Sequence, residues 1–185
     1  PIVNNMAKMY YRWGQNIDSV VRMPTGAGVG AGPFHSQSNE AWFFHTPGLK
    51  VVYPSNVHDA KGLLLAAIED PNPVMFFEHK GLYRSITEDI ADNYYTVEIG
   101  KAKLETTGND VSIITYGMGV YWAKAAAKNF PSQIEIIDLR TLFPLDESAI
   151  YESVKLHSRC IVLTEEPVSN SFAQSLAGKI SKHCF

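Results

Sequence analysis

The sequence predicts an α/β fold of two consecutive open parallel-sheet units. Three observations lead there. Short, unalternated apolar runs such as Val74-Met-Phe-Phe77 read as strands buried on both faces. Segments of helical periodicity alternate with these runs along the whole chain. A polar, acidic and aperiodic stretch from Arg84 to Tyr95 then divides the pattern. The expected division is a first unit over 1–84, a linker over 85–96 and a second unit over 97–185. The first begins on a helix and the second ends on one with only three firm strands, so both are expected to be truncated. No internal repeat is evident.

In order, Pro1–Trp13 is expected to be helical, with Val3, Met6, Ala7 and Tyr10 on one face, and Gly14 ends it. Ile17–Met23 reads as a strand closed by Pro24. A loop with glycines at 26, 28, 30 and 32 follows. Asn39–His45 is expected to form a short helix with Ser38 as its N-cap, stopped by Thr46-Pro-Gly. Leu49–Tyr53 reads as a short buried strand, and Ser55 is expected to cap an amphipathic helix over Asn56–Glu69. Asp70-Pro-Asn-Pro is a turn, and Val74–Glu78 is the next strand. In the second unit, strands are expected at 97–104, 111–116, 134–139 and 160–164, and helices at about 120–129, 144–156 and 169–183. Phe172, Leu176 and Ile180 mark the inner face of the last helix.

Composition excludes several classes. The chain has 185 residues, 45% apolar and 19% charged, enough for a real core. A formal charge of −3 with no basic cluster argues against nucleic acid as a partner. The apolar runs are too short for a membrane span, and no signal peptide is visible. Cys160 and Cys184 match no metal spacing and suit a reducing compartment. A first residue, Pro1, that leads directly into a helical pattern reads as the start of a fragment.

The glycine loop holds the strongest candidate for chemistry. Gly26-Ala-Gly-Val-Gly-Ala31 formally fits a G-x-G-x-x-A dinucleotide fingerprint, but Gly32-Pro-Phe follows where that fingerprint needs a long helix. The loop is therefore either structural or laid against a cofactor or partner chain. His35 stands where the loop is expected to end and a helix to begin, among Ser36, Gln37 and Ser38, which could set its tautomer. Imidazole is the natural proton carrier near neutral pH. His45, His58, His79 and His157 lack such a setting and read as surface or packing residues. Glu165-Glu166 ends a strand, where α/β sites form, but reads as a solvated turn before Pro167. Asp138 and Arg140 read as a structural pair. The turn carbonyls around Asp70 and Asn72 could hold a monovalent cation.

Several motifs together carry a resemblance over essentially the whole chain. They are Arg22-x-Pro-x-Gly, His35-Ser-Gln-Ser, Pro47-Gly-Leu-Lys-Val-Val-x-Pro54, Asp59-Ala-Lys-Gly-Leu-Leu and Glu69-Asp-x-Asn-Pro73. With them go Phe76-Phe-Glu-x-Lys80, Leu82-Tyr-Arg84, Ile99-Gly-Lys-Ala, Leu139-Arg-Thr-Leu-x-Pro-Leu-Asp146 and Val162-Leu-Thr-Glu-Glu. This set resembles the β part of the thiamine-diphosphate-dependent 2-oxoacid dehydrogenases (the E1 component), in its branched-chain 2-oxoisovalerate type, with the pyruvate type open. The resemblance implies the C-terminal half of a transketolase-like pyrimidine-binding domain followed by a transketolase C-terminal-like domain.

It also implies oxidative decarboxylation of a 2-oxoacid and acyl transfer to a lipoyl group on an E2 partner. Thiamine diphosphate and Mg²⁺ would serve the complete enzyme. His35 would be the catalytic histidine. Ala67, Asp70 and Asn72 match potassium-binding positions, and a further metal-binding segment aligns near Ile17, Ser19 and Val20 through main-chain carbonyls. The glutamate that activates the coenzyme is expected upstream of Pro1, and the Gly-Asp-Gly motif that grips its pyrophosphate belongs to the α part, so no cofactor-binding residue is assigned here. Expected partners are an E1 α part, separate or fused, a second β copy and lipoyl-E2, in the bacterial cytoplasm or the mitochondrial matrix. By itself the segment is expected to be inactive. Two alternatives stand: a transketolase or deoxyxylulose-phosphate synthase relative, or a non-catalytic module for assembly and E2 docking.

Overall fold

A computed structural model describes all residues, Pro1–Phe185. Two four-stranded sheets form the frame. The first has the order β1-β3-β2-β7, from Val20–Thr25, Val74–His79, Lys50–Val52 and Thr141–Phe143. The second has the order β4-β6-β5-β8, from Lys103–Thr106, Ile134–Asp138, Val111–Thr115 and Cys160–Val162. The inner pairs are parallel, as the continuous apolar strands predict. Each sheet also has one antiparallel edge strand, β7 in the first and β4 in the second, which the sequence reading did not anticipate.

Seven α-helices accompany the strands: α1 Met9–Trp13, α2 Ala41–Phe44, α3 Val57–Glu69, α4 Leu82–Ser85, α5 Met118–Ala127, α6 Glu147–His157 and α7 Phe172–Cys184. Three of the four long ones start on side-chain caps, and α5 starts after Gly117 without one. Asn56, not Ser55, accepts from the Asp59 N–H at the start of α3. Asp146 does the same for Ala149 in α6, and Ser171 for Gln174 in α7. Along α7, Phe172, Leu176 and Ile180 are buried as their four-residue spacing requires.

The expected first helix is shorter than its periodicity suggests. Residues 6–8 form a 3-10 turn and only Met9–Trp13 is α-helical. Of its proposed inner face only Ala7 is buried, and Tyr10 and Trp13 are exposed. The second helix also shrinks, and Ser38 does not cap it. The strand expected from Val97 begins only at Lys103. Before it, the polar crossing segment runs along α3: Val97 N–H donates to the Gly62 carbonyl at 3.1 Å, and Lys61 Nζ donates to the Asn93 carbonyl at 3.0 Å. These contacts order a stretch that has no period of its own.

The two halves are joined more intimately than a linker implies. β7 comes from the second half yet pairs with β2 of the first, and Tyr53 N–H donates to the Arg140 carbonyl at 2.8 Å. The largest buried apolar cluster, of 17 residues, draws Val51, Tyr53, Met75 and Phe77 from the first half and Ile114, Tyr116, Leu142 and Phe172 from the second. Both halves therefore lose water from shared apolar surface, which opposes their separation.

Candidate functional site

In open α/β sheets the space beyond the carboxyl ends of the strands is where ligands collect. Here the two sheets bring such ends together. The glycine loop leaves β1, His79 ends β3, Tyr116 follows β5, and Glu165 and Glu166 follow β8. Residues 27–35 are all exposed, with a 3-10 turn at Ala27–Val29 and no long helix after it. His35 lies in a turn closed by its own N–H on the Gly32 carbonyl at 3.3 Å, and α2 starts only at Ala41. The expectation that His35 opens a helix is corrected on this point. Its imidazole is exposed rather than enclosed in an apolar interior.

Below the loop lies a cluster of acids that the sequence reading took for a solvated turn. Glu165 Oε2 is 2.8 Å from His79 Nε2, and Glu165 Oε1 accepts from the Gly28 N–H at 2.9 Å. Glu166 is buried, with Oε1 accepting from Ala173 N–H and Oε2 without a partner. Glu40, 1% exposed, accepts from the Tyr116 hydroxyl at 2.9 Å and also has an unpartnered Oε2. Burial, then the charge of Glu40, pushes the Glu166 carboxyl up to about 7. Burial likewise raises Glu40, against its hydrogen bonds. His79, read from sequence as surface or packing, is a buried hydrogen-bonding residue. Sequence reasoning missed this group because its members are brought together only by strand ends: His79 and Glu165 are 86 residues apart. The usable signal was the position of Glu165-Glu166 just past a strand.

A cavity of about 360 Å³ opens beside His79, walled by Phe76, Leu64 and Leu82 with Arg22, Glu78 and Tyr83 at its polar side. Arg22 donates to both Glu78 oxygens, at 2.7 and 2.9 Å, and the Tyr83 hydroxyl donates to the same carboxylate. The guanidinium is thus already paired.

A second acid cluster lies at the junction of the halves. Asp59, Glu105 and Asp138 each place a carboxyl oxygen within 4.8 Å of the others. Side-chain cations already serve two of them. Burial would raise Asp59, but Asn56 and the Arg140 guanidinium at 3.3 Å hold it below the usual range. Burial of Glu105 is likewise outweighed by Lys103 and Lys124. Asp138 has only neutral donors, the Ser55 hydroxyl and the Arg140 N–H, so burial pushes it up to about 7.

At the proposed potassium positions, Ala67 is buried within α3. Asp70 has both oxygens engaged: Oδ1 accepts from the N–H and amide of Asn72 at 2.9 Å each, and Oδ2 from Lys50. Burial alone would raise Asp70, but these partners hold it below its ordinary value. A cation here would meet main-chain carbonyls, not the Asp70 carboxylate.

Residues 2–86 match the family model described as "Transketolase, pyrimidine binding domain", and residues 100–185 match "Transketolase, C-terminal domain". The chain thus carries a transketolase pyrimidine-binding domain followed by a transketolase C-terminal domain. It is 42% identical over 190 residues to a Bacillus subtilis protein named "2-oxoisovalerate dehydrogenase subunit beta", covering 99% of this chain and 58% of that protein. It is 40% identical over 185 residues to a Bacillus subtilis protein named "Pyruvate dehydrogenase E1 component subunit beta", covering 97% of this chain and 57% of that protein. A solved structure titled "Split gene transketolase, inactive beta4 tetramer" shares the fold with a TM-score of 0.74 at 22% identity, over 90% of this chain and 54% of that one. The chain thus spans little more than half the length of its relatives. Within the transketolase fold, the glycine loop and β3 belong to the pyrimidine-binding part, and Glu165, Glu166 and Tyr116 to the C-terminal part. The acid cluster is therefore a seam between these two domains. No helix is long and apolar enough to cross a membrane.

Proposed function

We propose that this chain is the E1 β-type part of a 2-oxoacid dehydrogenase, working with an E1 α part, separate or fused, and with a second β copy. In this reading the first domain spans 1–84 and the second 97–185, with 85–96 crossing between them. The carrying observation is the placement of His35. It is exposed on a glycine ribbon over the carboxyl ends of strands from both domains, open to a substrate or coenzyme brought by a partner.

Its role follows from its chemistry. Decarboxylation and acyl transfer to lipoamide both need a group that gives and takes a proton near neutral pH, and an exposed imidazole on a constrained ribbon supplies one. Thiamine diphosphate, when bound, supplies the nucleophilic carbon and the electron sink. In this reading the α part grips the pyrophosphate and its Mg²⁺. Potassium would be held by carbonyls around Ala67, Asp70 and Asn72, bracing the turn after α3. The names of the relatives favour a branched-chain or pyruvate substrate. A lipoyl-bearing E2 completes the assembly, in the bacterial cytoplasm or the mitochondrial matrix.

The test uses the complete enzyme with its α part. Oxidation of 2-oxoisovalerate and of pyruvate is followed with an artificial electron acceptor and with lipoamide. His35→Ala should lower lipoamide-dependent turnover by about 100-fold or more, the range of lost proton-transfer catalysis. Full turnover in that variant would refute the assignment and favour an assembly module. The ratio of the two kcat/KM values decides the substrate.

A further inference from the structure

Residues 27–36 of the glycine ribbon have two hydrogen bonds to the rest of the protein. Gly28 N–H donates to Glu165 Oε1, and Lys80 Nζ donates to the His35 carbonyl. The other bonds of this stretch are internal to the loop: Ala31 N–H to Ser36 Oγ, Gln37 Nε2 to the Pro33 carbonyl, and the turn at Gly32. Four glycines give such a ribbon many conformations, so a small number of ties selects among them.

The Glu165 tie is itself held. Gly81 N–H donates to His79 Nδ1 at 3.1 Å, which makes that nitrogen an acceptor and leaves the ring proton on Nε2. Nε2–H then donates to Glu165 Oε2 at 2.8 Å, orienting the carboxylate so that Oε1 faces Gly28. His79 is 4% exposed, so the bond forms largely out of water. The ribbon also rests on the ring: a Cβ at Gly26 would lie 2.7 Å from Nε2, and its φ of +122° disfavours a side chain independently. His79 comes from the pyrimidine-binding part and Glu165 from the C-terminal part.

We infer that His79 and Glu165 are a positioning pair that sets the glycine ribbon, so that the C-terminal domain determines where the His35 imidazole points. The inference rests on the role proposed above for His35, since its catalytic consequence passes through that residue. Neither His79 nor Glu165 is assigned contact with substrate.

The test combines hydrogen exchange and kinetics in the complete assembled enzyme. Glu165→Ala should speed exchange of the 26–36 segment by about tenfold, the scale of losing a hydrogen bond to a charged group. It should lower kcat by about tenfold while KM for the 2-oxoacid stays within about twofold. In a His35→Ala background the same change should cost nothing further. His79→Leu should behave like Glu165→Ala, and His79→Gln, which keeps a donor toward Glu165, should recover most of the rate. Unchanged exchange of the segment, or an equal additional loss in the His35→Ala background, overturns the inference. Should Glu165→Ala also loosen β3 and β5, Glu165→Gln carries the test, because it keeps the shape and loses one of the two acceptors. Should His35→Ala leave turnover intact, the functional reading fails and the catalytic consequence with it, and exchange alone then decides whether the pair holds the ribbon.

Discussion

Asp138→Asn should change how stability depends on pH, and the sign follows from the geometry. Asp138 is fully buried at the end of β6, accepts from the Ser55 hydroxyl and the Arg140 N–H, and is pushed up to about 7 from 3.8 by burial. A folded value above the unfolded one means that the folded protein binds more protons between these limits. Stability therefore falls as pH rises from about 4 to 7, and stays lower above that. A rise from 3.8 to about 7, at ~1.36 kcal/mol for each tenfold change in proton affinity, gives an upper figure of ~4 kcal/mol. Asn keeps one carbonyl oxygen for the Arg140 N–H and meets Ser55 with an amide, so the shape is retained without the charge. Melting curves of the wild type and Asp138→Asn from pH 4.5 to 8 provide the assay. The two should nearly coincide at pH 4.5, and the variant should melt higher at pH 8 by roughly 10 °C, taking about 2–4 °C per kcal/mol for a chain of this size. A variant that melts lower at pH 8, or a gap that does not grow with pH, refutes the argument that Asp138 carries an unshared burial cost.

Gly62→Ala should destabilise the chain by about 1–3 kcal/mol, the cost of overpacking, because its Cβ would lie 2.5 Å from Val97 Cγ2; a lower melting temperature with faster proteolysis in 86–96 reports it. Ser171→Ala should remove the α7 N-cap and cost about 1 kcal/mol, read as a shifted urea midpoint. Glu40→Gln should lower the titration midpoint of the Glu166 carboxyl from about 7, since the Glu40 charge adds to burial in raising it; carbon NMR of that carboxyl is the measurement, and an unchanged midpoint refutes the coupling.

How much was legible in advance varies by element, for physical reasons. β3 was plain because a strand buried on both faces must be apolar throughout, and all six of its residues are buried. α7 was plain because one face carries Phe172, Leu176 and Ile180. α1 misled because Val3, Met6, Ala7 and Tyr10 stand at helical spacing yet only Ala7 meets a core: Val3 and Tyr10 are 42% and 64% exposed. β7 went unseen because a three-residue edge strand has no period, and its partner β2 lies about 90 residues away in sequence. His35 was visible as a residue type in a glycine-rich setting, and its motif was one of several that together carry the family resemblance.

The amino-acid sequence by itself determined the α/β character, the inner face of the last helix, the family resemblance and the histidine on its ribbon. These depend on local periodicity, on glycine and proline, and on short motifs, all of which lie contiguous along the chain. Only the tertiary structure decided that the halves share a core and a sheet, that Glu165 and His79 meet beneath the ribbon, and that Asp138 lacks the cation its neighbours have. Those outcomes depend on which strand ends converge and which charges lose water together, and both are properties of distant residues in space.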